Sequence, residues 1–167
     1  NYLLDILFPR HCLGCEVLLE DESGHYICRP CLRGIKFLNT FACAFCGSQV
    51  KAGVTCPYCR KEGRFLDRLL VAASYENPLV VRAIKSAKYR FVRVLAEQLG
   101  ELMAAYLKTR TFTDLPTNQT RRDADSHGLE LANCVVVPVP LHPSRLRWRG
   151  FNHAEVMARV VGEKLGF

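Results

Sequence analysis

Eight of the nine cysteines in this 167-residue chain fall in four Cys-x-x-Cys pairs within the first 60 residues. The pairs are Cys12/Cys15, Cys28/Cys31, Cys43/Cys46 and Cys56/Cys59. Two thiolates separated by two residues can face one tetrahedral ion. Two such knuckles joined by a hairpin close a four-sulfur site with no open coordination position, which is the structural form of metal binding. Twelve residues lie between Cys15 and Cys28, and nine between Cys46 and Cys56. Both gaps are long enough for a hairpin.

Zinc is the ion that this ligand set favours, and two quartets in tandem read as two zinc ribbons. Iron fits the same spacing, and thiolate ligands do not exclude it. Disulfides would suit a small secreted domain, but nothing here reads as secretory. In residues 1–8 no Lys or Arg precedes the apolar residues and Asp5 interrupts them. That stretch is too short for a signal peptide or a membrane span. A redox Cys-x-x-Cys would be expected once, beside a βαβ pattern. The reading is a reducing, cytoplasmic setting.

Consecutive quartets would hold one ion with Cys12, Cys15, Cys28 and Cys31, and the other with Cys43, Cys46, Cys56 and Cys59. A cross-braced scheme would join the first pair to the third. The consecutive scheme is favoured because it closes short loops at low entropy cost. Asp21–Gly24 and Gly53 can turn the two hairpins, and Gly14 and Gly47 allow tight knuckle turns. Cys134 has no partner and reads as a small buried core residue.

The formal net charge is +7. Eight thiolates and two Zn²⁺ ions would together add about −4, bringing the chain near +3. Residues 1–63 carry seven Lys/Arg and six Asp/Glu, against sixteen and ten in residues 64–167. With metal bound the first part is acidic, so any basic partner surface belongs to the second. The first part has few apolar residues beyond Ile27, Leu32, Ile35, Phe37, Leu38, Phe41 and Phe45. It depends on its metals for stability, and chelation should unfold it.

The elements of the second part follow from periodicity and punctuation. Leu69–Tyr75 reads as a strand with a buried start. Asn77-Pro78 starts a helix that runs to about Lys88, with Leu79, Ala83, Ile84 and Ala87 inward. After a break near Tyr89-Arg90, a second helix spans about Val92–Lys108, with Leu95, Leu99, Leu102, Met103 and Tyr106 on one side. Residues 109–132 are polar and read as a mobile loop. Val135–Pro140 looks like a central strand of a parallel sheet, ended by its prolines. His142–Arg149 follows as a loop. Asn152-x-x-Glu155 approximates a capping box and opens a third helix, with Val156, Val160, Val161 and Leu165 inward. Strand, helices, strand, basic loop and helix make a doubly wound α/β pattern. The division is a double ribbon over residues 1–63 and an α/β part over residues 64–167. With only two convincing strands, that α/β part reads as the start of a larger domain.

The basic loop carries the most chemistry after the cysteines. No acid lies between Pro140 and His153. Arg145, Arg147 and Arg149 alternate, so in extended form they share a face. Arg presents a rigid fork suited to phosphate oxygens, and Trp148 could stack on a base. Gly150 allows close backbone approach, and Asn152 opens a helix whose N-terminus favours anions. Lys85 and Lys88, within a run that also holds Arg82, Arg90 and Arg93, could extend this surface. The competing reading is a solvated basic loop anchored by Trp148 and Phe151.

These motifs together resemble the ComF/GntX family. The resemblance rests on Leu-Leu-Asp-x-Leu-Phe-Pro before Cys12, the four cysteine pairs, the Tyr75–Lys88 segment, and Val-Pro-Val-Pro-Leu followed by Arg-x-Arg-Gly-Phe-Asn. It implies a double zinc ribbon followed by a type I phosphoribosyltransferase-like domain. It also implies a bacterial cytoplasmic protein that handles incoming single-stranded DNA during competence, with the membrane DNA-uptake machinery as a partner. A transferase reading would add phosphoribosyl pyrophosphate (PRPP) and Mg²⁺, but the acidic strand end and Thr-Thr-Gly-x-Thr loop that hold PRPP in such enzymes do not occur in residues 1–167. A third reading is a scaffold whose ribbons dock another protein.

Overall fold

The structure is a computed structural model that describes residues 9–19, 24–64, 66, 68–109 and 135–166, except the side chain of Ala52. The expectations for residues 1–8, for Asp21–Ser23, for most of the 109–132 loop and for Cys134 lie outside the described residues.

The two ribbons repeat one local design. In the first, the Cys12 N–H donates to Val17 O and His11 bridges Leu18. In the second, the Cys43 N–H donates to Ser48 O and Ala42 bridges Gln49. The chain reverses at a left-handed residue four positions after the first cysteine of each: Glu16 (φ 62°) and Gly47 (φ 73°). Gly47 does what its sequence position predicts. Gly14 does not, because its conformation is ordinary and its smallness serves packing instead. The second knuckle of each ribbon is a cysteine followed by a one-turn helix, α1 (Arg29–Arg33) or α2 (Pro57–Lys61). Cys28 and Cys56 are the N-caps, and a proline at N1 or N2 supplies the fixed φ that helix starts favour. A 3₁₀ turn at Lys51–Gly53 leads into the second, with Gly53 at φ 74°.

Four further helices make the rest. α3 (Pro78–Tyr89) starts where Asn77-Pro78 predicts, with the Asn77 side chain accepting from the N–H groups of Leu79 and Val80. α4 (Arg93–Lys108) follows after Phe91, which takes a left-handed φ of 58°. α5 (Pro143–Arg149) and α6 (His153–Leu165) close the described chain. Leu79, Ala83 and Ala87 of α3, and Leu95, Leu99, Leu102 and Tyr106 of α4, are buried as their spacing predicts. Met103 is not, and stands exposed. α4 packs most extensively on α6. Gly100 makes that approach close: a Cβ there would stand 2.9 Å from Val160 Cβ.

The doubly wound parallel sheet is not formed among the described residues. Neither of the apolar runs read as its strands joins a ladder. The first is used by the ribbons. Ala73 bridges Phe37, Arg68 bridges Val54, and the Leu69 N–H donates to Gly53 O, all antiparallel and isolated. The second, from Val135, has Val135, Val137 and Val139 exposed. Periodicity registers an extended apolar segment but cannot name its partner.

The segment His142–Arg149 is likewise a helix and not a loop. His142 Nδ1 accepts from the Ser144 N–H, Pro143 occupies N1, and Gly150 stops the helix at φ 77°. In a helix the three arginines no longer share a face. Arg145 and Arg149, four apart, are neighbours, and Arg147 points away. Asn152 caps α6 as predicted, accepting from the Ala154 N–H, while Glu155 pairs with Arg159 at 2.9 Å.

One core joins the first ribbon to the helices. Cys12, Ile27 and Ile35 are buried with Leu79, Val80, Leu95, Ala96, Leu99 and Val156. The second ribbon has only its own small cluster, Cys43, Cys56 and Cys59, with Val50 against it. Among the described residues no helix is long and apolar enough to cross a membrane.

Candidate metal centres and a cationic aromatic patch

The knuckle turns bring the cysteines together in consecutive quartets. One is Cys12, Cys15, Cys28 and Cys31; the other is Cys43, Cys46, Cys56 and Cys59. Within each, all sulfurs lie within 4.8 Å of one another. Cys15 Sγ is 3.7 Å from Cys28 Sγ, and Cys46 Sγ is 3.6 Å from Cys56 Sγ. A tetrahedron with Zn–S bonds of about 2.3 Å has edges of about 3.8 Å, so these separations fit the ion. All eight cysteines are free thiols.

Backbone amides aim at the sulfurs. The N–H groups of Gly14 and Cys28 both donate to Cys12 Sγ at 3.3 Å, and that of Cys59 donates to Cys56 Sγ at 3.5 Å. These donors favour thiolate. Burial pushes the Cys12 thiol up, but the N–H groups of Cys28, Cys15 and Gly14 outweigh it and hold the thiol at about 6. Cys43 is held at about 6 by the N–H groups of Cys56, Cys46 and Phe45. In each quartet another thiol moves the other way. Cys31, first through its contact with Cys28, and Cys59, first through burial, are pushed up to about 12. Four thiols this close cannot all ionise without a cation among them. A divalent ion removes that obstacle and adds no open position, so the sites are structural.

Gly14 is packed where the first site meets α3. A Cβ there would lie 2.7 Å from Cys31 Sγ and 3.3 Å from Leu79 Cδ2. Gln98 of α4, 2% exposed, reaches the same ribbon from the other side. Its Oε1 accepts from the N–H groups of Tyr26 (3.0 Å) and Ile27 (3.1 Å), and its Nε2 donates to Ile27 O at 2.7 Å. Sequence reasoning missed Gln98. Its signal was a lone polar residue inside the apolar stripe of Leu95, Leu99 and Leu102.

The predicted anion-binding residues divide. Trp148 and Arg149 stand together, and Lys88 and Arg149 both act on His153; Lys85, Arg145 and Arg147 are exposed on α3 and α5. Gly150 and Asn152 act as helix caps, and Asn152 Nδ2 also donates to Val139 O. Two aromatic residues join the patch unforeseen. The Arg149 guanidinium lies 5.6 Å from the Tyr89 ring centroid and 6.0 Å from that of Trp148, and Phe91 meets Trp148 edge-on at 5.1 Å. Arg149 is buried, and its Nε has no hydrogen-bond partner among the described residues. Its Nη1 is 3.5 Å from His153 Nδ1. Burial lowers the His153 pKa, and the charges of Lys88 and Arg149 lower it further. Beside this patch a largely apolar cleft of about 470 Å³ takes Lys88 and His153 into its lining.

Two closed Cys₄ knuckle pairs in tandem define a double zinc ribbon. Residues 3–60 match the family described as the Double zinc ribbon domain. The chain therefore carries that domain, and its two clusters fit two structural zinc sites. Comparison with the curated proteins gave no match, and comparison with solved structures gave none.

Proposed function

We propose that the chain binds single-stranded nucleic acid at the patch of Lys88, Tyr89, Phe91, Trp148 and Arg149, on a frame that its zinc ribbon helps to hold. The observation that carries this reading is two aromatic rings, Tyr89 and Trp148, against one buried arginine, with Phe91 edge-on to Trp148. Two of the rings stay open to solvent: Tyr89 and Trp148 are each 59% exposed. Every base has a π-face, so such rings stack without regard to sequence, while cations track the phosphates. Lys88 and Arg149 supply that charge, and Arg145 lies one turn from Arg149 on the same side of α5.

The resemblance to the ComF/GntX family makes incoming DNA during competence the natural ligand and the DNA-uptake machinery the natural partner. The reading that uses PRPP and Mg²⁺ needs the carboxyl ends of a parallel sheet. Without that sheet among the described residues it is not carried forward.

Trp148 is the only tryptophan in the chain, so its emission reports on the patch directly. Titration of the zinc-loaded protein with oligo-dT should quench it. Neutralising about three phosphates predicts a slope of about −2 in log K against log salt. Lys88→Ala and Arg145→Ala should each flatten the slope, and Trp148→Ala, followed by anisotropy of labelled DNA, should weaken binding. Salt-independent binding, or binding indifferent to all three substitutions, would refute the proposal.

A further inference from the structure

The two quartets are alike in ligands and local geometry, but their surroundings differ. Cys12 belongs to the main core with Leu79, Leu95 and Leu99. Gln98 binds the backbone at Tyr26 and Ile27, immediately before Cys28. The Cys28 N–H in turn donates to Cys12 Sγ. A continuous path of hydrogen bonds thus runs from α4 to a ligand of the first site. The second quartet has no such connection among the described residues. Its buried neighbours are its own cysteines. Backbone and hydroxyl bonds tie it to the 66–69 segment: the Leu69 N–H to Gly53 O, and the Thr55 hydroxyl to Leu66 O.

We propose that Gln98 is a positioning residue for the first metal site. It joins that site and the helical core into one folding unit, while the second site forms and dissolves on its own. A metal that binds only the folded state stabilises whatever unit its ligands belong to. At the first site that unit includes α3, α4 and α6. At the second it is the ribbon alone. Loss of the second ion therefore leaves the helices intact, and loss of the first takes them with it.

The test uses the full chain loaded with two equivalents of zinc. Release to a chromophoric chelator is followed together with circular dichroism at 222 nm. The first equivalent should leave with little loss of helix, and the second should carry most of it. Cys43→Ser/Cys46→Ser should abolish the early phase and keep the helical signal. Helix loss in step with the first equivalent, or one shared phase, overturns the proposal.

Gln98→Leu keeps the size of the side chain and removes its three hydrogen bonds. Outer partners of metal ligands typically govern affinity by about 10- to 100-fold, so release from the first site should quicken by that order. The second site of the same molecule is the control, and its rate should not change. Cadmium-113 NMR gives a reading that stability alone would not move: the first-site resonance should shift and the second should stay. Equal acceleration at both sites, or an unmoved first-site resonance, removes Gln98 from the role. Should Gln98→Leu fail to fold, the two-phase release of the unaltered protein still decides whether the sites are separate.

Discussion

Gly100 tests how closely α4 and α6 approach. In a helix interior Ala is favoured over Gly by about 1 kcal/mol, so propensity alone predicts that Gly100→Ala stabilises. Packing predicts the reverse. The new Cβ would stand 2.9 Å from Val160 Cβ, 3.1 Å from Met157 O and 3.2 Å from Met157 Cα. Two of those atoms are α6 backbone and cannot rotate away. Relief requires a helix to move, and overpacking of this kind costs about 1–3 kcal/mol. Subtracting the propensity gain leaves a net loss of about 1 kcal/mol, or about 2–4 °C in Tm for a chain of this size. Thermal melting at 222 nm with free zinc held constant measures it, since metal would otherwise shift the midpoint. Val160→Gly removes one of the three contacts, the one to Val160 Cβ, so the double variant should be more stable than the sum of the single changes. A higher Tm for Gly100→Ala alone would refute the close approach.

Gly14→Ala should loosen the first metal site and spare the second, because its Cβ would meet Cys31 Sγ; competition with a chelator reads both, and an unchanged first site contradicts the packing argument. His153 should titrate below its usual 6.5, burial being the main cause and Lys88 and Arg149 the others. Between the folded and unfolded values the unfolded chain binds more protons. The contribution is therefore complete above the unfolded value and is lost as pH falls through the folded one. An NMR titration of the zinc-loaded protein checks this, and a pKa at or above 6.5 would contradict it.

The metal centres were legible because their ligands are local. Cys-x-x-Cys needs only a knuckle, and the knuckle's turn is written in the next few residues. Asn77-Pro78 and Asn152 were legible for the same reason, since a cap and its helix are neighbours in sequence. His142-Pro143 and Gly150 frame α5 in the same way, but the alternating arginines between them fit an extended face equally well. The sheet failed for a different reason. Leu69–Ala73 and Val135–Val139 carry strand-like residues, yet a strand is defined by a partner that sequence does not name. The aromatic patch depends on contacts between α5 and the α3–α4 junction, nearly sixty residues apart in sequence, and of its rings only Trp148 could be foreseen. Gln98 was readable as an oddity in an apolar stripe, though its hydrogen-bond partners, more than seventy residues away, were not.

The repeated ribbon design also sets where the chain is free to change. Position 14 in the first knuckle corresponds to position 45 in the second. At Gly14 any side chain would strike Cys31 and Leu79. At Phe45 a large ring stands 41% exposed under the Arg64 guanidinium. Mutational drift at the first tip is therefore constrained by a wall of helix, and drift at the second is constrained only by its own ion. Over time the second ribbon should accumulate new surfaces, and the first should keep the one it has.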